Sequence, residues 1–410
     1  VSRIDVAPDA PQPTLEQCMR PGALHFAALP PLALYVHLPW CLRKCPYCDF
    51  NSHESRGGEP PYERYLDALR ADLEAALPFV WGRRVASVFV GGGTPSLFAP
   101  AHVDRLIGDI RARLPLEAGC EITLEANPGT FERERFRGYR DAGVTRLSIG
   151  VQSFDDAALR AIGRVHDAAQ ARAAVEEAAV AFDTWNLDLM YALPGQTPAQ
   201  LDADLAQALA VEPPHLSVYH LTIEPNTLFA ARPPAVPDDD TAAAMLDAIA
   251  ERTAAAGLER YEVSAHARAG HRCAHNLNYW QFGDYLGIGA GAHGKLTFPH
   301  RVVRQIRWRD PARYMVNALA GRAVAQHDEV ARAQLPFEFM LNALRLREGF
   351  DLALFGERTG LAPTVLQRPL AEAERRGLIE RDLQRVRPTA RGYDFLSDLQ
   401  TLFLPDARAG

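Results

Sequence analysis

The stretch Leu34-Tyr35-Val36-His37-Leu38-Pro39-Trp40-Cys41-Leu42-Arg43-Lys44-Cys45-Pro46-Tyr47-Cys48-Asp49-Phe50 organises the chain: an apolar, strand-like run empties into a loop with cysteines spaced C-x3-C-x2-C. Short, kinked spans of this kind let three thiolates converge on one inorganic centre. Two centres fit. A tetrahedral zinc site needs a fourth ligand, and His53 is near enough in sequence to complete Cys3His. An iron–sulfur cube ordinarily takes four thiolates, so three would leave one iron open to a small molecule. Arg43 and Lys44 add positive charge, which is expected to lower the thiol pKa and favour the ligand form.

Outward from this loop the chain alternates between two kinds of pattern. Strand-like runs fall near 33–38, 85–90, 121–126, 145–150, 185–190 and 215–221. Helical patterns lie between them near 61–77, 100–114, 131–141, 168–181 and 198–210, with another at 240–256. Six β-then-α units imply an α/β fold with a parallel sheet covered by helices. Right-handed crossovers would curl that sheet into a barrel or part of one, with working residues at the C-terminal strand ends.

Those ends are polar. Gly91-Gly92-Gly93-Thr94 follows the second strand, and its glycines permit close approach of backbone to a ligand. Glu125 sits in the third strand, Gln152 ends the fourth with Arg164 beyond it, and Asp188 alternates with Leu187 and Leu189 in the fifth. A carboxylate among apolar neighbours needs a partner, either a bound ligand or an internal ion pair. An interior holding Glu125, Gln152 and Asp188 together reads as a ligand cavity.

The motif C-x3-C-x-aromatic-C after a first strand resembles the signature of the radical S-adenosylmethionine superfamily. The longer run from Tyr35 to His53, YVHLPWCLRKCPYCDFNSH, resembles the oxygen-independent coproporphyrinogen oxidase group and, within it, a haem-chaperone branch. The resemblance extends from about Leu34 to the C-terminus. It implies a partial (β/α)6 radical-SAM barrel followed by a C-terminal, winged-helix-like α-rich domain. It also implies a [4Fe–4S] cluster on Cys41, Cys45 and Cys48, whose open iron is chelated by the amino and carboxylate groups of S-adenosylmethionine. Positions matching the family's cofactor contacts are Tyr35, Tyr47, Gly92, Gly93, Thr94, Glu125, Gln152, Arg164 and Asp188.

A second informative stretch surrounds His266, His271, Cys273 and His275-Asn276-Leu277-Asn278-Tyr279-Trp280. Histidine and cysteine can ligate haem iron while aromatic rings pack on a porphyrin, and the same residues equally suit a packed surface between domains. In the resembling branch H-N-x-x-Y-W is linked to haem, which points to His275, Asn276, Tyr279 and Trp280, with His275 the leading ligand and Cys273 behind it. The turn from Gly287 to Gly294 resembles one found throughout the larger group. At the cysteine loop, Phe50 occupies the position where the dehydrogenases of the group carry a further cysteine. Both features favour a chaperone that binds haem and passes it to acceptor proteins over oxidative decarboxylation of coproporphyrinogen III. The sequence assigns no catalytic residue.

The remaining chain divides into a flexible, Pro- and Ala-rich lead-in (1–30), the barrel (31–265), a connecting region (266–325) and the C-terminal unit (326–410). In that last unit three helical patterns precede a hairpin-like GLIERDLQRVRPTARG, and it contains no lysine. The net charge of −7 argues against a nucleic-acid binder. No apolar run reaches membrane-spanning length, which leaves only a peripheral membrane contact open. Six cysteines, three of them clustered, fit a reducing compartment and a cytoplasmic protein, either monomer or homodimer.

Overall fold

A computed structural model describes residues 14–55, 58–129 and 132–405. Six strands lie side by side in chain order and parallel: β1 (Leu32–Leu38), β2 (Val85–Gly92), β3 (Leu116–Ala126), β4 (Arg146–Gln152), β5 (Thr184–Tyr191) and β6 (His215–His220). Helices α1 (Tyr62–Val80), α2 (Pro100–Arg111), α3 (Glu132–Asp141), α4 (Ala168–Ala181), α5 (Pro198–Ala210) and α6 (Asp239–Ala255) provide the crossovers and follow β6. The pleat sorts each strand into two faces. Leu34, Val36, Leu124, Leu147, Leu187 and Leu189 are buried in one core with Leu66, Leu69, Ile107, Val175 and Leu205 of the helices. Tyr35, Glu125, Gln152 and Asp188 take the alternate positions and line cavities. Helix starts follow capping chemistry: Thr197 with Gln200 and Asp167 with Gln170 form reciprocal capping boxes at α5 and α4.

The sheet runs further than six strands and stays open. After β6 come the short antiparallel β7 (Glu259–Arg260) and β8 (Ala265–Ala267), which form one edge. The chain then passes through helix α7 (Ala274–Trp280) and returns to pair β9 (Asp284–Ile288) parallel to β1. Three antiparallel strands, β10 (His293–Phe298), β11 (Arg301–Arg307) and β12 (Val324–Glu329), carry the sheet to its other edge. Much of the region expected to be a connection thus belongs to the main sheet. Its apolar residues are interrupted by His, Lys, Arg and Gln, and this hid the strand period.

Two buried ion pairs hold this return. Arg307 and Asp72, each 1 % exposed, lie 3.2 Å apart, and the Tyr314 hydroxyl also donates to Asp72 (3.0 Å). Lys295 pairs with Asp284 at 3.0 Å, and Arg83 reaches the other oxygen of Asp284 at 2.9 Å.

The lead-in differs from expectation. Residues 1–13 lie outside the described residues, but a capped helix spans Leu15–Met19, and Cys18, Leu24 and Phe26 are buried. Leu24 and Phe26 pack with Phe339, Phe355 and Leu370 of the C-terminal unit, which anchors a stretch whose Pro and Ala content signals little on its own. The C-terminal unit comprises helices Leu335–Ala343, Leu352–Thr359 and Gln367–Arg375, with a small sheet of Phe350–Asp351, Arg385–Pro388 and Ile379–Arg381. It docks through Arg304 to Glu338 (2.6 Å) and Arg345 to Glu262 (3.2 Å). Among the described residues no helix is long and apolar enough to cross a membrane.

Candidate functional site

The cysteine loop leaves β1 at Pro39 and is closed at its base. Trp40–Cys41 and His53–Glu54 pair as a short parallel ladder, and the Lys44 ammonium donates to the Phe50 carbonyl at 2.9 Å. Cys41, Cys45 and Cys48 are all free thiols, and all three line a cavity of ≈ 810 Å³ at the C-terminal ends of the parallel strands. His53 stands in the ladder with a buried, unpartnered Nε2. Among the described residues no three His, Cys, Asp or Glu side chains are grouped as a single metal ion would need. Burial pushes the Cys41 and Cys48 thiols above their ordinary value, while hydrogen bonds from Thr94 and Ser52 respectively act the other way. Lys44 does lower Cys48 as expected, but burial outweighs it. The guanidinium nearest a thiol belongs instead to Arg164, whose Nη1 lies 3.8 Å from Cys45 Sγ.

The strand ends supply the rest of the cavity. Tyr47, Gly92, Gly93, Thr94, Glu125, Gln152, Arg164 and Asp188 all line it. The glycines also meet a packing need that the sequence does not show. A Cβ at Gly92 would meet the Leu38 carbonyl at 2.7 Å, and one at Gly93 the Trp40 carbonyl at 2.6 Å. They therefore let the turn press against the backbone that delivers Cys41, fixed there by Gly93 N–H to Leu38 O and Thr94 N–H to Trp40 O, both 2.8 Å.

Asn127, overlooked in the sequence although it directly follows β3, ties the wall together. Its amide donates to Thr94 Oγ1 (2.9 Å) while its oxygen accepts from Arg164 (2.7 Å). Gln152 ends β4 in the left-handed region at φ 70°, a conformation that costs a non-glycine residue free energy and is tolerated at sites.

Two carboxylates share this interior. Burial, with Asp188 second, pushes Glu125 up to about 8, against the pull of the Gly92 N–H that donates to it at 3.0 Å. Burial also raises Asp188, against donors on Asn186 (2.7 Å) and Ser148 (3.2 Å). Glu125 is therefore a proton-bearing acid at neutral pH in the ligand-free chain. A cationic group placed between the two would restore their charge.

A second cavity of ≈ 500 Å³ adjoins the first, and Asp49, Phe50, Gly92 and Glu125 line both. Tyr35 falls here, with Tyr279 and Tyr285. Of the four motif residues on α7, only Tyr279 lines either of these two cavities. His275 is 1 % exposed, and both its ring nitrogens are engaged, Nδ1 with Ser87 Oγ (3.1 Å) and Nε2 with the Tyr279 hydroxyl (3.2 Å). It stacks on Phe89 at 5.0 Å, and burial lowers it to about 3. Trp280 lies under the Arg345 guanidinium at 4.2 Å, bracing the C-terminal unit. Asn276 is half-buried on the helix. Cys273 is buried, with its thiol 3.6 Å from Glu121.

Comparison with known proteins accords with this geometry. Residues 35–208 match the Radical SAM superfamily and residues 330–395 the HemN C-terminal domain. The Heme chaperone HemW of Escherichia coli (strain K12) is 46 % identical over 380 residues, covering 92 % of this chain and 99 % of that protein. That of Haemophilus influenzae is 44 % identical, with 92 % and 99 % covered, and that of Bacillus subtilis 33 % identical, with 87 % and 95 % covered. Among solved structures, coproporphyrinogen III oxidase (HemN) from Escherichia coli, a radical SAM enzyme, aligns with TM-score 0.77 at 24 % identity over 92 % of this chain and 90 % of that one; it shares the fold. The chain belongs to the radical SAM superfamily and, within it, to the family of the heme chaperone HemW.

Proposed function

We propose that this protein is a haem chaperone: it binds haem and hands it to acceptor proteins, and it carries a [4Fe–4S] cluster and S-adenosylmethionine in its larger cavity. The observation that carries the cofactor reading is the convergence of three free cysteines and the polar ends of β2 to β5 on one space of ≈ 810 Å³. Cys41, Cys45 and Cys48 would hold the cluster, and their dispersed grouping suits a cube of several irons better than one ion. When bound, the cluster would supply an iron able to take a further ligand and to pass single electrons.

The chain's own residues suit the remaining tasks. Glu125 and Asp188 accept a cation, Arg164 offsets thiolate charge at Cys45, and the Leu38–Trp40 backbone fixes the Gly92–Thr94 wall. Raised thiols at Cys41 and Cys48 mean that ligation must expel their protons, so assembly is expected to be easier at higher pH. Phe50 at the position of the dehydrogenases' further cysteine, together with the HemW relatives, favours haem handling over turnover of coproporphyrinogen.

One anaerobic preparation tests both halves. Iron, sulfide and haem are quantified, and hemin transfer to an apo-globin is followed optically. About four irons per chain are expected, lost in any of Cys41→Ala, Cys45→Ala or Cys48→Ala, with haem passed on and coproporphyrinogen III left intact. Stoichiometric zinc without iron would overturn the cluster. Robust decarboxylation of coproporphyrinogen would overturn the chaperone.

A further inference from the structure

We propose that the smaller cavity is the seat of the iron tetrapyrrole, with His293 as an axial ligand to the iron and Arg309 as the partner of a propionate carboxylate. The inference rests on the haem-binding reading above and assigns it to particular side chains.

Four histidines lie around this region: His53, whose Nε2 is unpartnered, does not line the cavity, and two of the others are already committed. His275 has both nitrogens engaged and does not line the cavity. His37 lines it but shares Nδ1 with the Tyr35 hydroxyl (2.9 Å) and Nε2 with the Asn51 carbonyl (2.9 Å). His293 is exposed at the start of β10, lines the cavity, and its ring has no hydrogen-bond partner among the described residues. Ligation needs a free imidazole lone pair, so His293 can ligate without breaking an existing bond.

The other walls fit the same occupant. Phe50, 61 % exposed, and the rings of Tyr35, Tyr279 and Tyr285 offer planar apolar surface. Arg309 is exposed at the rim, and no carboxylate pairs with its guanidinium among the described residues, whereas neighbouring Arg304 and Arg307 are held by Glu338 and Asp72. A guanidinium is the group that takes a carboxylate in bidentate fashion. A volume of ≈ 500 Å³ falls within the range of small-molecule sites. The acids on this wall are Asp49, which is exposed, and Glu125, whose carboxyl already takes the Gly92 N–H.

The pocket is also held in shape before a ligand arrives. The Asn51 amide donates to the carbonyls of Ala290 (2.9 Å) and Arg309 (2.8 Å), clipping the loop that carries Phe50 to the segments that carry His293 and Arg309. Tyr279 is positioned by its hydroxyl contact with His275, so the motif histidine acts as a positioning residue.

The test titrates hemin and metal-free protoporphyrin IX into the cluster-loaded full chain and into its His293→Ala, Arg309→Ala and His275→Ala variants, following the Soret band and ring fluorescence. His293→Ala should shift the Soret band and weaken hemin about tenfold or more, yet leave metal-free protoporphyrin unchanged. Arg309→Ala should weaken both ligands about tenfold, as loss of one charge-assisted contact implies, without moving the band. His275→Ala should weaken both while keeping the hemin band position. Because His293 and Arg309 are exposed, unchanged iron content and melting will confirm that these variants fold. An unaltered hemin spectrum and affinity in His293→Ala would overturn this assignment alone. Failure of the unmodified chain to bind hemin would overturn it together with the haem-binding reading.

Discussion

Glu125→Gln is expected to stabilise the ligand-free protein at neutral pH and to remove a pH dependence that the natural residue imposes. The carboxyl of Glu125 is moved from its ordinary 4.5 to about 8, first by burial and then by Asp188. Between those values the folded chain holds a proton that the unfolded chain has released. Protons bound in the folded state therefore exceed those in the unfolded state, and stability falls as pH rises through this window. It is fully present below about pH 4.5 and is lost by about pH 8.

At pH 7 the proton is still in place. Taking it up costs about 1.4 kcal/mol for each unit above 4.5, or about 3 kcal/mol in all. Glutamine needs no proton and keeps a carbonyl oxygen for the Gly92 N–H, which lies 3.0 Å from the present Oε2. Urea unfolding of the cluster-free chain between about pH 5 and 8 measures the effect, with the variant's advantage growing by about 1.4 kcal/mol per unit. The same substitution should weaken S-adenosylmethionine while leaving iron content unchanged, since it removes the charge that a cationic ligand meets. Parallel stability curves for the two proteins would refute the claim that Glu125 is protonated in the folded state.

Two further outcomes follow from the bonds that hold the returning strands. Asp72→Ala leaves the fully buried Arg307 guanidinium without its partner and should lower unfolding free energy by about 3–5 kcal/mol, read from chemical denaturation. Asn51→Ala removes an amide that makes one part-buried and one exposed hydrogen bond and should cost about 1–3 kcal/mol. Stopped-flow release of hemin should be faster in that variant, and a rate equal to the natural chain's would show that the clip does not shape the smaller cavity.

The six strand–helix units were legible because each repeats one physical pattern with little interruption. Leu187 and Leu189 face the helices while Asn186 and Asp188 face inward, so the period of two alone reported which residues share a cavity. The strands after Trp280 were not legible. β10 reads His-Gly-Lys-Leu-Thr-Phe, and its lysine is buried against Asp284, a partner that sequence does not reveal. The Leu15–Phe26 stretch was missed for a related reason, since Leu24 and Phe26 are buried against Phe339, Phe355 and Leu370, more than 300 positions away in the chain, and Cys18 against the main core.

The H-N-x-x-Y-W motif shows why adjacency in sequence is a poor guide to adjacency in a site. One short helix sends its side chains in different directions, because successive residues advance around the axis and only those three or four apart share a face. His275 and Tyr279, four apart, are in contact, and only the outer member of that pair reaches the cavity. Trp280, one position further, points to the C-terminal unit and supports Arg345. The cavity is assembled instead from strands distant in the chain: Tyr35 within β1, Gly92 and Glu125 at the ends of β2 and β3, Tyr285 near the start of β9 and His293 at the start of β10. These residues meet because strand pairing sets them side by side, β1 lying between β9 and β2, with β10 beside β9. His293, carried by the Gly287–Gly294 turn, can therefore occupy the open position, while the motif histidine holds the wall behind.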